Sequence, residues 1–156
     1  IGAFVSEREN KAIAAPKTVS DEFTGSWNVK YSAGPVSIGY SEYHISSGLD
    51  DVAADDVTTN AKTIGTSSGI FDGDMFSIAF NVNDDLSISY SEMDSTHDAQ
   101  TASTNTDVNE KYESIQAAYS MGAMSIKAYS TEITNPFFDE NAATLKVNEI
   151  ALGLAF

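Results

Sequence analysis

MFSIAFNVNDDLSISYSEM, residues 75–93, is an alternating run, a polar break and a second alternating run. Phe76, Ile78, Phe80 and Val82 share one parity, and Leu86, Ile88 and Tyr90 take over that role after Asn83-Asp84-Asp85. A period of two places successive side chains on opposite faces of a strand. Asn and Asp tolerate the positive φ that short hairpin turns require, so the stretch predicts a β-hairpin.

The plan occurs twice more. SWNVKYSAGPVSIGYSEY (26–43) turns at Ala33-Gly34-Pro35, and YESIQAAYSMGAMSIKAYSTE (112–132) turns at Met121-Gly122-Ala123. Six strands with consistent spacing are a stronger signal than one alternating run. One face is predicted to carry Trp27, Val29, Tyr31, Val36, Ile38 and Tyr40, continuing through Phe76–Tyr90 to Ile115, Tyr119, Met124 and Ile126. The other is mostly Ser, Ala, Gly and Asn. A strand over 1–7 and another over 146–156 bring the count to eight. Between hairpins lie long polar links, roughly 8–23, 46–72, 96–110 and 134–146, with Asp72-Gly73-Asp74 as the turn leading into a strand. Links of this length are unusual in compact soluble domains. Short turns alternating with long links are the rhythm of outer-membrane barrels.

Composition narrows the classes. The chain of 156 residues fits a single domain over 1–156, or part of something larger. It carries 23 Asp+Glu against 8 Lys+Arg, a net charge of −15, which repels nucleic acid. With no cysteine there is no disulfide framework and no thiol chemistry. The longest apolar run, Ile150–Phe156, falls far short of the roughly 20 residues a membrane helix needs, whereas barrel strands need no such run. The sequence opens at Ile1 without an initiator Met or a signal stretch, which is the expectation for a piece of a longer barrel.

Alternation alone also suits a secreted acidic β-sandwich that turns its apolar face inward. Two features favour a transmembrane antiparallel β-barrel. Aromatics recur at both ends of the apolar face: Trp27, Tyr40, Phe76 and Tyr90 towards the long links, and Tyr31, Phe80, Tyr119 and Phe156 near the short turns. Bilayers select such belts. The opposite face has fewer charges and β-branched residues than a solvated sheet surface normally carries. An eight-stranded barrel is filled by its own side chains, and Ser, Ala, Gly and Asn would leave voids. A water-filled lumen suits them better, and channels have about sixteen strands, of which these eight would be half. A small eight-stranded barrel with a structural or adhesion role remains the alternative, beside the sandwich.

The SIxYSE-type hairpins, the segment AYSTEITNPFFDENAATLKVNEIALGLAF and the final alternation resemble the C-terminal half of Gram-negative outer-membrane porins, most closely those of marine alphaproteobacteria. The likeness spans the chain, but only its C-terminal signature is motif-like. It implies a general-diffusion channel for small hydrophilic solutes, homotrimeric and with about sixteen strands, located in the cell outer membrane among its lipid and lipopolysaccharide. It further implies that the barrel-assembly machinery reads Phe156, Leu154, Leu152 and Ile150 as an assembly signal. Asn148 departs from the apolar residue usual at the next step. The family's constriction loop would fall before Ile1.

Pore-lining candidates follow from the small-residue face. Lys30 and Lys127 stand mid-strand there, where facing lipid would be costly and facing a lumen would set a field across it. The plainer reading is a structural lysine satisfied by nearby carboxylates or water. Glu149 is the acidic counterpart, Asn28, Asn81 and Gln116 line the same face, and Arg8 is a weaker candidate. Asp50, Asp51, Asp55 and Asp56 offer hard oxygens for Ca²⁺ or Mg²⁺, but their spacing fits no EF-hand, so a solvated loop without metal is expected. His44 and His97-Asp98 are the imaginable hydrolytic groups. With no H-E-x-x-H and no glycine-rich phosphate loop, neither an enzyme nor a cofactor is expected. Asn135-Pro136-Phe137-Phe138 is read as an exposed or trimer-contact spot, or as a packed loop anchor.

Overall fold

The computed structural model describes residues 1–9, 21–46, 69–98 and 107–155. Eight antiparallel strands form one sheet in chain order: β1 (Gly2–Arg8), β2 (Glu22–Ala33), β3 (Val36–Ser46), β4 (Ile70–Asn81), β5 (Leu86–Asp98), β6 (Val108–Met121), β7 (Met124–Thr134) and β8 (Leu145–Leu154). The only other regular element among the described residues is a 3₁₀ turn, Pro136–Phe138. β1 and β8 are the two edges and do not pair, so the sheet is open. No described helix is long and apolar enough to cross a membrane.

The three short turns fall where expected, and two chemistries make them. Gly34 and Gly122 take the left-handed conformation, with φ of 56° and 57°, that L side chains avoid. The β4–β5 turn has no glycine. There the Asn83 side-chain oxygen accepts the N–H groups of Asp85 (2.9 Å) and Leu86 (2.8 Å) and holds the bend itself.

Register fixes the two faces. Ala33, Val36, Phe80, Ile88, Ala117, Ala128 and Ile150 are successive Cα partners across seven strands, and side chains paired in this way share a face. This apolar side is called face A, and the Ser-rich side face B. The predicted parity holds throughout the six hairpin strands.

Relative to that row, the ends of the apolar stretch move in steps. The β2–β3 turn closes on the row itself, at Ala33 and Val36. The β4–β5 turn closes two residues beyond it, at Val82 and Leu86, and the β6–β7 turn four beyond, at Met121 and Met124. At the other end, the last apolar residues are Tyr40 and Phe76 on β3 and β4, four residues from the row. They are Tyr90 and Ile115 on β5 and β6, two residues away, and Ala128 and Ile150 on β7 and β8, on the row. Both boundaries therefore advance two residues per hairpin, or one per strand, in the same sense. At about 3.4 Å per residue and about 4.8 Å between strands, this is an apolar band of even width crossed by strands tilted roughly 35°.

The strands run longer than the sequence reading placed them. Asp72-Gly73-Asp74 lies inside β4 rather than in a turn, and Thr96 and His97 pair with Asn109 and Val108, and Asp98 with Ile70, instead of forming a loop. The reason is a second apolar cluster, on face B, at the ends nearest the long links. Phe71, Val108 and Phe138 are buried there, with Tyr43 and Ile45 packed against them. Tyr43, Gly73 and Ser95 are successive partners on that face. The Tyr43 ring crosses Gly73 to hydrogen-bond Ser95, and a Cβ on Gly73 would sit 2.3 Å from a ring carbon. Gly73→Ala is expected to displace that ring and cost about 1–3 kcal/mol, as overpacked sites do. A urea midpoint that does not fall in the refolded protein would contradict this account of the outer end.

Candidate functional site

Face B along the apolar band forms a wall of small polar groups. Ser32, Ser37, Ala79, Ser89, Gln116, Tyr129 and Glu149 make one continuous row. Lys30, Gly39, Ser77, Ser91, Ser114 and Thr131 make the next. Hydroxyls pair laterally between strands, Ser32 with Ser37 at 2.8 Å and Ser114 with Thr131 at 2.9 Å. A hollow of about 280 Å³ on this face is lined from five successive strands, with Lys30, Ser77, Ser89 and Gln116 among its walls, and a larger one of about 510 Å³ lies mainly on face A, among Ile88, Ile115, Ala128 and Ile150.

All six pore-lining candidates fall on this face. Lys30 and Gln116 share the hollow. Glu149 accepts a hydrogen bond from the Tyr129 hydroxyl at 2.9 Å and lies in the row of Gln116. Asn81 and Lys127 share another row, through Ser87 and Ala118. Asn28 lies opposite Ser41, nearer the long links, and Arg8 is ion-paired with its cross-strand partner Glu22. Lys30 and Lys127 are not neighbours. Five strand intervals separate β2 from β7, about 24 Å around the wall.

Face A changes character one step beyond the band. Glu42, Asp74 and Asp94 are consecutive partners in one row, and Glu92, Glu113 and Glu132 in the next. Aromatic residues at the boundary turn their polar tips to this rim. The Trp27 indole N–H donates to Glu42 (2.9 Å), as does the Tyr40 hydroxyl (2.8 Å). The Tyr90 hydroxyl donates to Glu92 (2.6 Å) and lies 3.2 Å from Glu113. Lys111 bridges Glu92 and Glu113 at 3.2 and 3.5 Å, and Lys146 meets Glu132 at 2.8 Å. A groove of about 280 Å³ runs between Glu42, Asp72, Asp74 and Asp94, yet no described set of three carboxylates or histidines is arranged to hold a metal ion. Asp50, Asp51, Asp55 and Asp56 lie outside the described residues.

The two histidines are on opposite faces. His44 pairs with Asp72 at 2.6 Å on face A, while His97 is buried on face B against Phe71 and Phe138. Gly65-Thr66-Ser67-Ser68-Gly69 has the spelling of a hydrolase nucleophile elbow. That elbow needs a helix after the serine, whereas Gly69 leads into β4, and residues 65–68 lie outside the described ones. Of the predicted assembly signal, Ile150, Leu152 and Leu154 lie on face A of the edge strand, 79%, 63% and 59% exposed, and Phe156 is outside the described residues. Within Asn135–Phe138, Pro136 and Phe138 are buried while Phe137 is exposed.

Asp74 stands one step outside the apolar band. Partial burial, and then the facing Asp94, Glu42 and Glu92, hold its carboxyl above the ordinary range. A carboxyl raised in this way favours the folded state when protonated, so its contribution fades as pH rises through that raised range. Asp74→Asn is expected to raise the unfolding midpoint at about pH 8, with the gain vanishing near pH 4. An equal gain at both values would contradict the repulsion. Comparison with protein-family models, curated proteins and solved structures finds no match, so the functional reading rests on the two faces of the sheet.

Proposed function

We propose that the chain contributes eight strands to the wall of an outer-membrane porin, a water-filled channel for passive diffusion of small hydrophilic solutes and ions. One observation carries this reading: the sheet leaves a broad apolar face exposed on one side and sets small polar side chains on the other. A soluble barrel or sandwich does the reverse, burying apolar side chains within the curl or between two sheets. Here Ile38, Ile78, Ile88, Ile115 and Ile126 are each more than a third exposed, and among the described residues only Phe71, Val108 and Phe138 are buried hydrophobics. An outward apolar band, tilted strands, aromatic residues at its rim and small polar residues inside are what a lipid-embedded barrel demands.

The band also suits the strand lengths. Strands of 10 to 14 residues make up the three hairpins and β8, against about 9–11 for a tilted membrane crossing, with the excess projecting as the acidic rim. Small side chains favour a lumen wider than eight strands enclose, so the open edges of β1 and β8 would be satisfied by further strands. The lipid and lipopolysaccharide surroundings, the homotrimer and the assembly machinery belong to this same proposal.

Two experiments decide it. The protein is expected to need detergent to stay dispersed and, reconstituted in a planar bilayer, to give stepwise ion conductance. Dispersal as a monomer in plain buffer would point back to a soluble module. In the conducting protein, Lys30→Glu with Lys127→Glu is expected to raise cation over anion permeability at least about twofold. An unchanged reversal potential would mean that neither lysine faces the ion path.

A further inference from the structure

We infer that the β7–β8 connection is a strap pinned across the outer mouth of the channel, where it limits the size of solutes that enter; this rests on the porin reading. Beyond Thr134 the chain does not rise straight away from the sheet. Asn135 enters the left-handed region (φ 49°), and Phe137 and Phe138 follow at φ 63° and 57°. Bulky residues there are conformationally costly and persist only where their surroundings hold them.

Three attachments hold them, and all reach back over strands earlier in the sheet. The Asn135 side-chain amide donates to the carbonyl of Asn109 on β6 at 2.8 Å. The Phe137 N–H donates to the Glu110 carboxylate, itself 6% exposed. The Phe138 ring meets Phe71 edge-on at 5.3 Å and His97 at 5.9 Å, so it reaches β4 and β5 from a root on β7. Three strand intervals, about 14 Å, lie between β7 and β4. Asp139 closes the fold-back by accepting the Asn141 N–H on its side chain at 2.9 Å.

The direction of the bend gives the inference its content. Phe71, His97, Val108 and Glu110 are all on face B, the same face as Lys30, Gln116 and Lys127. The strap therefore covers the small polar side of the sheet, and not the apolar side. Within the strap Phe138 is 4% exposed and Phe137 is 62% exposed, so one ring anchors it while the other stands free over the mouth. Releasing the anchor should widen the path and uncover what lies beneath.

The chain contains no cysteine, so Ser95→Cys places a unique thiol in a site that is 1% exposed and next to the anchor cluster. The test uses the full protein in outer membranes and in planar bilayers. The Ser95→Cys thiol is expected to resist a bulky maleimide, and Phe138→Ala in the same chain to make it at least about tenfold more reactive. Phe138→Ala, and separately replacement of residues 135–142 by an Asn-Gly turn, are expected to raise single-channel conductance about 1.5- to twofold and to admit larger polyethylene glycols. The replacement guards against misfolding of the point variant. Reactivity in the otherwise unaltered Ser95→Cys chain, or conductance unchanged in both strap variants, overturns the strap and leaves the channel standing. No conductance from the unaltered protein overturns both.

Discussion

A strand has two sides, and in this sheet the side with the larger side chains is covered by nothing among the described residues. At roughly 25 cal/mol per Å² of apolar surface, leaving an eight-stranded face in water forfeits most of the free energy that normally stabilises a domain. Backbone hydrogen bonding cannot replace it, because the unfolded chain is equally well bonded to water. Either the band is covered by something beyond the described residues or the sheet is not stable. On the porin reading that covering is lipid, which suits a band of even width running obliquely across the strands. A second sheet would instead call for an apolar patch shaped to its own twist.

The stagger ties this band to curvature. Closing a sheet around an axis requires each strand to slip against its neighbour, and the slip fixes the tilt. In this chain the slip is written twice, in the positions of three turns and in the points where apolar residues give way to charged ones. Turn chemistry and polarity are independent features of the sequence, so their agreement on one residue per strand is stronger than either alone. The same slip explains why rows away from the middle of the band pass from apolar to charged residues along their length. Val29, Tyr40 and Phe76 share a row with Glu92, Glu113 and Glu132.

How legible this was depended on whether the signal was local. The hairpins, their turns and the parity of Trp27 to Tyr40, Phe76 to Tyr90 and Ile115 to Ala128 could be read directly, because a period of two needs only near neighbours. The placement of Lys30, Lys127, Gln116 and Glu149 on one face followed from the same parity. The outer cluster was missed because parity reverses there. From Tyr40 to Tyr43 is three residues, from Phe76 back to Phe71 five, and from Ile115 back to Val108 seven, so each odd interval moves the apolar residue to the other face. Those intervals were visible in the sequence, and they marked the level at which the outer surface stops being apolar. The fold-back of Asn135–Phe138 had no such mark. It depends on a cavity assembled from β4, β5 and β6, which no local pattern describes.

The boundary level is set by pairs that resist displacement in either direction. Trp27, Tyr40 and Tyr90 each present a ring to the band and a hydrogen-bond donor to a carboxylate of the rim. On the porin reading, sinking the sheet by one step would carry Glu42, Asp74, Glu92 and Glu113 towards hydrocarbon, where an acidic group near the interface costs up to about 1 kcal/mol and more with depth. Raising it would expose the isoleucine row to water at about 0.8 kcal/mol for each CH₂ uncovered. Each term is small, but the strands cannot slide independently because the ladder links them, so the costs add across the sheet. Satisfying the aromatic tips within the chain adds rigidity, since those rings need not seek partners among lipid headgroups. Six of the 23 acidic residues, Glu42, Asp74, Glu92, Asp94, Glu113 and Glu132, thus stand in two adjacent rows at one edge of the apolar band, where on the porin reading they fix its depth.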